Sequence, residues 1–148
     1  MSERLRQAIA KIIAFIAALK ASDDRVRPEP YLTGQFRKDV CEEEKRNRGF
    51  ADDFCKFYEG MDEWKPRGWN IYGTGANKYD MNKGTKHLGY RVLVYFDKKN
   101  NNMVFLSIYP KADEPQVLGK DGKRLLKKYV EEVKAGQVPL TSFAESPA

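Results

Sequence analysis

The chain has 148 residues, enough for one hydrophobic core but not for two large independent domains. Hydrophobic residues make up 41% and aromatic residues 12% of the chain, which excludes an intrinsically disordered protein. The formal net charge of +6 at pH 7 favours an anionic partner but does not specify a fold.

Cysteine content and hydropathy bear on the cellular compartment. Two cysteines, Cys41 and Cys55, are too few for the disulfide framework of a small secreted domain. We therefore expect buried free thiols and a cytoplasmic protein. No apolar run approaches the roughly 18 residues of a membrane span, so no membrane partner is expected.

Charge is distributed unevenly along the chain. Residues 1–63 carry 12 basic and 13 acidic side chains, a net charge of −1, whereas residues 64–134 carry 15 basic and 7 acidic ones, a net charge of +8. Such asymmetry is typical of a nucleic-acid-binding protein. We divide the chain into a helical segment over 1–63, a basic unit over 64–134 and a flexible tail over 135–148. The first segment either extends the core, binds a partner or inhibits in cis.

The first half is predicted to be helical. Apolar residues at alternating spacings of four and three predict a first helix, capped by Ser2, whose stripe either faces the core or docks on a partner. The stripe consists of Leu5, Ile9, Ile12, Ile16 and Leu19. Residues 23–30, with two prolines and alternating charge, are a predicted linker. Two further helices are predicted over 34–48 and 50–60.

The second half is predicted to contain strands and one helix. Trp69 and Ile71 predict a strand that runs into a glycine turn. Residues 90–96 and 103–109 predict an antiparallel hairpin. A final amphipathic helix is capped by Gly136, and the tail from Val138 is expected to be frayed. Its apolar positions are Leu125, Leu126, Tyr129, Val130 and Val133. The predicted class is α+β, with N-terminal helices packed on a small antiparallel sheet.

Several motifs of the second half follow one another in a characteristic order. They are Gly73-Thr74-Gly75, Lys83-Gly84-Thr85-Lys86, Gly89-Tyr90-Arg91-Val92 and Leu106-Ser107-Ile108-Tyr109-Pro110-Lys111. Over roughly residues 68–134 this series resembles the RelE/HigB superfamily of bacterial toxins. The resemblance implies a RelE-like fold, in which helices pack on a small antiparallel sheet.

The resemblance also implies a function. Toxins of the RelE type are mRNA interferases of type II toxin–antitoxin systems, and they cut messenger RNA at the ribosome. The implied partners are therefore mRNA, the ribosome and a cognate antitoxin protein. No metal or other cofactor is implied, because the 2′-hydroxyl of RNA can itself attack the adjacent phosphate. The oligomeric state stays open.

The implied catalytic residues lie in the basic loop and at two strand ends. Arg91 is expected to stabilise charge on the scissile phosphate. Lys111 is expected either to bind phosphate or to act on the leaving group. Lys83 or Lys86 is the expected general base if neighbouring cations lower its pKa. His87 is a natural acid or base because it titrates near neutrality. For each of these residues an ordinary surface role is the alternative.

Four further residues are expected to contact RNA: Lys78, Tyr109, Lys98 and Lys99. Tyr109 either stacks on a base, orients a phosphate or belongs to the core. Because side chains alternate along a strand, Arg91 is expected to share a face with Leu93 and Tyr95.

Three departures from the family pattern bear on cleavage more than on fold. Asp80 stands where relatives tend to have a cation, Leu88-Gly89 replaces a Gly-Gly pair, and Pro110 is unusual. Two alternatives therefore stay open. One is a non-catalytic RNA- or ribosome-binding protein on the same scaffold, and the other is a gyrase-inhibiting toxin like the ParE branch.

Overall fold

The computed structural model of the protein describes residues 3–22, 28–60, 69–81 and 89–142. The helices in these ranges are α1 (Glu3–Ser22), α2 (Gly34–Arg46), α3 (Phe50–Glu59), α4 (Glu114–Val117) and α5 (Lys120–Lys134). The strands are β1 (Glu29–Leu32), β2 (Trp69–Asn70), β3 (Asn77–Met81), β4 (Tyr90–Asp97), β5 (Asn102–Pro110) and β6 (Thr141–Ser142). A single 3-10 turn, Lys111–Asp113, joins β5 to α4.

The six strands form one mixed sheet in the order β2-β3-β4-β5-β1-β6. Strands β2 to β5 pair antiparallel with their neighbours, and β6 pairs antiparallel with β1. Strand β1, however, runs parallel to β5. The predicted α+β class is therefore confirmed, but the sheet is not wholly antiparallel.

Two segments predicted to be irregular contain strands of this sheet. Residues 29–30 of the predicted linker begin β1, and residues 141–142 of the predicted frayed tail form β6. Strand β3 was also not predicted, since Asn, Lys and Asp have low β propensity. In all three cases the backbone is held by pairing with a neighbouring strand, which local sequence does not encode.

One face of the sheet is covered by α1, α2 and α3. Phe36 of α2 and Phe54 of α3 pack on Phe105 of β5, with ring centroids 5.2 and 5.6 Å away. Burying one such ring stabilises the fold by about 1.5–3 kcal/mol. The described residues of the first half thus extend the core of the sheet. The apolar stripe of α1 faces this core through Ile9, Ile12 and Ile16, whereas Ser2 lies outside the described residues.

The opposite face is covered by α5. Leu126, Val130 and Val133 are buried in a second core that includes Leu93 and Leu106 of the central strands. Leu125, in contrast, is 67% exposed, so its assignment to the apolar stripe is wrong. Its position on the helix lies well away from the buried side.

Gly136 ends α5 as predicted. Its φ of +74° lies in the left-handed region, and its N–H donates to the carbonyl of Val133 at 3.1 Å. The next N–H, of Gln137, donates to the carbonyl of Glu132 at 2.9 Å. These bonds satisfy carbonyl groups of the last helical turn.

A partly buried acidic residue fixes α2 against an irregular point of the hairpin. The register between β4 and β5 shifts at Leu93/Val94. Asp39 of α2 accepts hydrogen bonds there from the Ser107 hydroxyl at 2.8 Å and from the Ile108 N–H at 3.1 Å. Burial raises the pKa of Asp39, and the bonds from Ser107 and Ile108 only partly oppose that rise. The contact fixes the half of β5 that leads toward Tyr109.

Both cysteines are free thiols, as expected, but Cys41 is partly exposed rather than buried. Cys55 is buried, and burial raises its pKa to about 11, so the thiol stays protonated at neutral pH. Within the described ranges, no three His, Cys, Asp or Glu side chains are grouped closely enough to hold a metal ion. None of the helices in that part of the chain has the length and apolar character that a bilayer crossing requires.

Candidate nucleic-acid-binding site

Three polar side chains form a row across the central strands on the face that α5 covers. Asp80 of β3 pairs in register with Arg91 of β4, which pairs with Tyr109 of β5. The predicted grouping of Arg91 with Leu93 and Tyr95 is confirmed, because both pack in the core on the α5 side. Tyr109, at one end of the row, belongs to that core, whereas the Asp80 side chain at the other end is 35% exposed.

Arg91 lies between two carboxylates. The Asp80 carboxylate contacts its guanidinium, and its Nε lies 3.3 Å from Oε1 of Glu114. The Arg91 side chain is only 19% exposed. Ion pairs of this kind hold the guanidinium in one place, because the charge-assisted contacts are stronger than neutral ones.

Glu114, the first residue of α4, joins the row to a second cation. Its Oε1 lies 3.0 Å from Nζ of Lys78 and accepts a hydrogen bond from the Tyr109 hydroxyl at 3.2 Å. Partial burial would raise the pKa of Glu114, but the hydrogen bond and charge of Lys78 and the charge of Arg91 lower it overall. Glu114 is therefore ionised at neutral pH and is a weak base.

Lys111 reaches the same cluster from the end of β5. Its Nζ lies 3.6 Å from Oδ1 of Asp80, and its backbone N–H donates to the carbonyl of Gly89 at 3.0 Å. A Cβ at position 89 would lie 2.7 Å from Cε of Lys111. Glycine at position 89 thus leaves the space that the Lys111 side chain occupies.

An open groove of about 700 Å³ runs alongside this cluster. Its wall includes Tyr72, Lys78, Lys111, Glu114, Leu118 and Lys123. Arg91 does not line the groove, but it contacts Glu114, which does. The groove therefore presents three lysines and one carboxylate, an excess of positive charge that suits a phosphate-bearing ligand.

The structure brings together only part of the predicted site. Lys78, Arg91 and Lys111 lie in one cluster, in which they share the carboxylates of Asp80 and Glu114. Lys83, Lys86 and His87, together with the departure at Leu88, lie outside the described residues.

Two lysines predicted to contact RNA are remote from this cluster. Lys98 and Lys99 lie in the exposed turn after β4, at the opposite end of that strand from Arg91. At the usual rise per residue, the strand separates Lys98 from Arg91 by about 20 Å. The structure therefore does not place these two lysines beside Arg91 and Lys111.

Tyr109 does not present its ring to a ligand. The residue is 5% exposed and packs in the core beneath α5. Burial, followed by the charge of Glu114, raises the pKa of Tyr109, so the hydroxyl remains a donor. The stacking role is wrong, and Tyr109 instead positions Glu114.

Sequence reasoning missed Glu114, Tyr72 and Lys123. Glu114 follows Lys111 by three residues and precedes Pro115, a combination typical of a helix start. That signal identifies the helix but not the contact with Arg91, which depends on how the strands align. Tyr72 directly precedes the glycine turn, and its exposure depends on the shape of that turn.

In comparisons with known proteins, neither a family model nor a curated protein matches this chain. The resemblance to the RelE/HigB superfamily therefore rests on the sequence motifs themselves.

Proposed function

We propose that the groove binds RNA and that the protein cuts it, as a cytoplasmic endoribonuclease of the RelE/HigB type acting at the ribosome. The observation that carries this proposal is the convergence of Lys78, Arg91 and Lys111 from β3, β4 and the turn after β5. Two of these cations, Lys78 and Lys111, line the groove and suit direct contact with a phosphate. A cognate antitoxin is expected to cover the same groove.

The proposed reaction needs no nucleophile from the protein. The 2′-oxygen of RNA forms a bond to the adjacent phosphorus, and the bond from phosphorus to the 5′-oxygen breaks. The products are a 2′,3′-cyclic phosphate and a 5′-hydroxyl. Lys111, in the groove wall, would stabilise by contact the negative charge that develops on the phosphorane. Arg91 lies outside that wall, in contact with Glu114, and would act through its charge.

Two proton transfers complete the reaction. A base takes the proton of the 2′-hydroxyl, and an acid gives a proton to the departing 5′-oxygen. Glu114 suits neither step, because its lowered pKa makes it a weak base and leaves it ionised. We assign these transfers to Lys83, Lys86 and His87, which lie outside the described residues.

A second candidate, RNA or ribosome binding without cleavage, is favoured by Asp80. Its carboxylate contacts both Arg91 and Lys111, at the position where the family resemblance leads us to expect a cation. A carboxylate there reduces the positive potential available to a phosphorane more than it reduces long-range attraction to RNA.

Mapping of transcript ends tests both candidates. Purified protein is added to translating ribosomes, and the wild type is compared with Lys111→Ala and, as a matched control, with the remote Lys98→Ala. Cleavage that Lys111→Ala loses and Lys98→Ala keeps supports the endoribonuclease. Salt-dependent RNA binding without new transcript ends supports the second candidate. Absence of RNA binding rejects both.

A further inference from the structure

Tyr72 is the most exposed large hydrophobic side chain in the described part of the chain. It is 95% exposed and lines the groove that holds Lys78 and Lys111. Its chain neighbour Ile71 is buried in the core beneath α5. Tyr72 is thus held at the surface by a firmly packed turn.

The turn that carries Tyr72 is closed by its own hydrogen bonds. The Thr74 hydroxyl donates to the carbonyl of Ile71 at 2.7 Å and accepts from the N–H of Ala76 at 3.1 Å. The N–H of Ile71 donates to the carbonyl of Ala76 at 2.9 Å. Thr74 is buried, so these bonds are shielded from water. The backbone at position 72 is therefore fixed before any ligand arrives.

Both glycines of the turn adopt a backbone conformation that favours glycine. Gly73 has a φ of +78° and Gly75 a φ of +82°, both in the left-handed region that other residues rarely adopt. At Gly75 a Cβ would also lie 3.2 Å from Cγ1 of Val130. The Gly73-Thr74-Gly75 motif thus shapes the turn that presents Tyr72.

We infer that Tyr72 is a stacking platform for one unpaired base, which makes single-stranded RNA the ligand of the groove. The inference deepens the proposed function and rests on it. Lys78, Lys111 and Lys123 line the same groove and would contact the phosphates on either side of the stacked base. A charged groove with an aromatic ring at its edge is the usual design of single-strand binding sites.

Two physical points favour an unpaired base over a duplex. Bases inside a duplex are already stacked on their neighbours, so they offer no free face to a protein ring. The rigid turn also removes most of the backbone ordering that stacking would otherwise require. An exposed aromatic ring on a fixed turn therefore gains most from a base that is splayed out.

The test is a binding cycle with fluorescently labelled RNA oligonucleotides. The protein variants are wild type, Tyr72→Ala and Tyr72→Phe, with Leu125→Ala as the control for loss of an exposed apolar side chain outside the groove. The ligands are a single strand, the same strand with abasic sites, and a duplex. Because Tyr72 is exposed, we expect the melting temperatures of its variants to match that of the wild type.

We expect Tyr72→Ala to bind the single strand about five-fold or more weakly, and Tyr72→Phe to bind like the wild type. The abasic strand and the duplex should bind wild type and Tyr72→Ala equally. If the wild type binds RNA and Tyr72→Ala binds the single strand equally well, the stacking inference is wrong and a protein contact becomes the role of Tyr72. If the wild type binds no RNA, the proposed function fails together with the inference.

Discussion

Asp80 lies directly opposite Arg91 in the β3–β4 pair, and the same carboxylate lies 3.6 Å from Nζ of Lys111. Both cations are therefore already in contact with an anion of the protein. A phosphate that enters the groove must compete with Asp80 for Lys111, which lines the groove, whereas Arg91 lies outside its wall. This competition makes Asp80 a determinant of how tightly the groove binds RNA.

Replacement of Asp80 should strengthen RNA binding. In Asp80→Asn the competing charge is gone, while Arg91 keeps its contact with Glu114. A partly exposed ion pair contributes up to about 1 kcal/mol, which corresponds to about five-fold in affinity. Fluorescence anisotropy with a labelled single-stranded RNA measures the effect.

The control for Asp80→Asn removes one negative charge elsewhere. Glu59→Gln changes the net charge by the same amount. Glu59 is exposed at the end of α3, which packs on the face of the sheet opposite the site. A gain of affinity in both variants would reflect net charge alone. Unchanged or weaker binding in Asp80→Asn would contradict competition by Asp80.

Replacement of Arg91 should lower stability as well as binding. In Arg91→Ala, Asp80 and Glu114 both lose a largely buried partner, and we expect a loss of about 1–3 kcal/mol. The double variant Asp80→Ala/Arg91→Ala should recover part of this loss, because one of the two carboxylates is also removed. Thermal unfolding followed by circular dichroism provides the comparison.

The stability of Arg91→Ala must be known before a loss of its activity is assigned to catalysis. Loss of function in Arg91→Ala has two explanations, whereas Lys111 is more exposed and its replacement should leave stability nearly unchanged. An Arg91→Ala protein that melts like the wild type would show that the ion pairs contribute no net stability.

Protonation of Glu114 at acid pH should lower the free energy of unfolding. Its pKa is lower in the folded protein than the ordinary value of 4.5, so its contribution is present above 4.5 and is lost as the pH falls through the folded value. Glu114→Gln should therefore be less stable than wild type at neutral pH, and the difference should shrink below pH 4.5. Urea unfolding at a series of pH values measures this, with the exposed Glu131→Gln as control. A difference that stays constant with pH would contradict the lowered pKa.

Periodicity identifies the long elements of this fold. Helices α2 and α3 and strands β4 and β5 lie within two residues of their predicted bounds. One buried face repeats in each of the two helices, and the two strands are apolar runs buried on both faces. Strands β1, β3 and β6 contain Pro, Asn, Lys or Thr and are held by their partners. Their pairing is a long-range property, and no local pattern reports it.

In the candidate site, too, some contacts are predicted from the sequence and others are not. The family resemblance implies that Arg91 and Lys111 belong together, and the structure places both against Asp80. The burial of Tyr109 depends on α5, which packs over the end of β5. The contact of Glu114 with Arg91 depends on where the short helix α4 begins. These are consequences of packing between distant segments, which the sequence pattern does not specify.

Gly89→Ala should weaken RNA binding by displacing Lys111. The added Cβ would lie 2.7 Å from Cε of the lysine, and the flexible end of that side chain must move away. We expect affinity for RNA to fall as far as in Lys111→Ala, with little change in melting temperature because the backbone need not shift. Gly34→Ala is the matched control, since a Cβ there meets nothing within 4 Å. An affinity equal to that of the wild type would mean that RNA binding does not depend on the observed position of the Lys111 side chain.

Asp39→Asn should alter the pH dependence of stability in the direction opposite to Glu114→Gln. Burial raises the pKa of Asp39 above its ordinary value of 3.8, so the folded protein binds this proton more tightly than the unfolded chain does. The stability gained from protonation is present below 3.8 and is lost as the pH rises through the folded value. Asparagine keeps an acceptor for Ser107 or Ile108 and carries no charge. Relative to wild type, Asp39→Asn should therefore become more stable as the pH rises through this window, which urea unfolding at each pH measures. A stability difference that moves in favour of the wild type over that window would contradict the raised pKa.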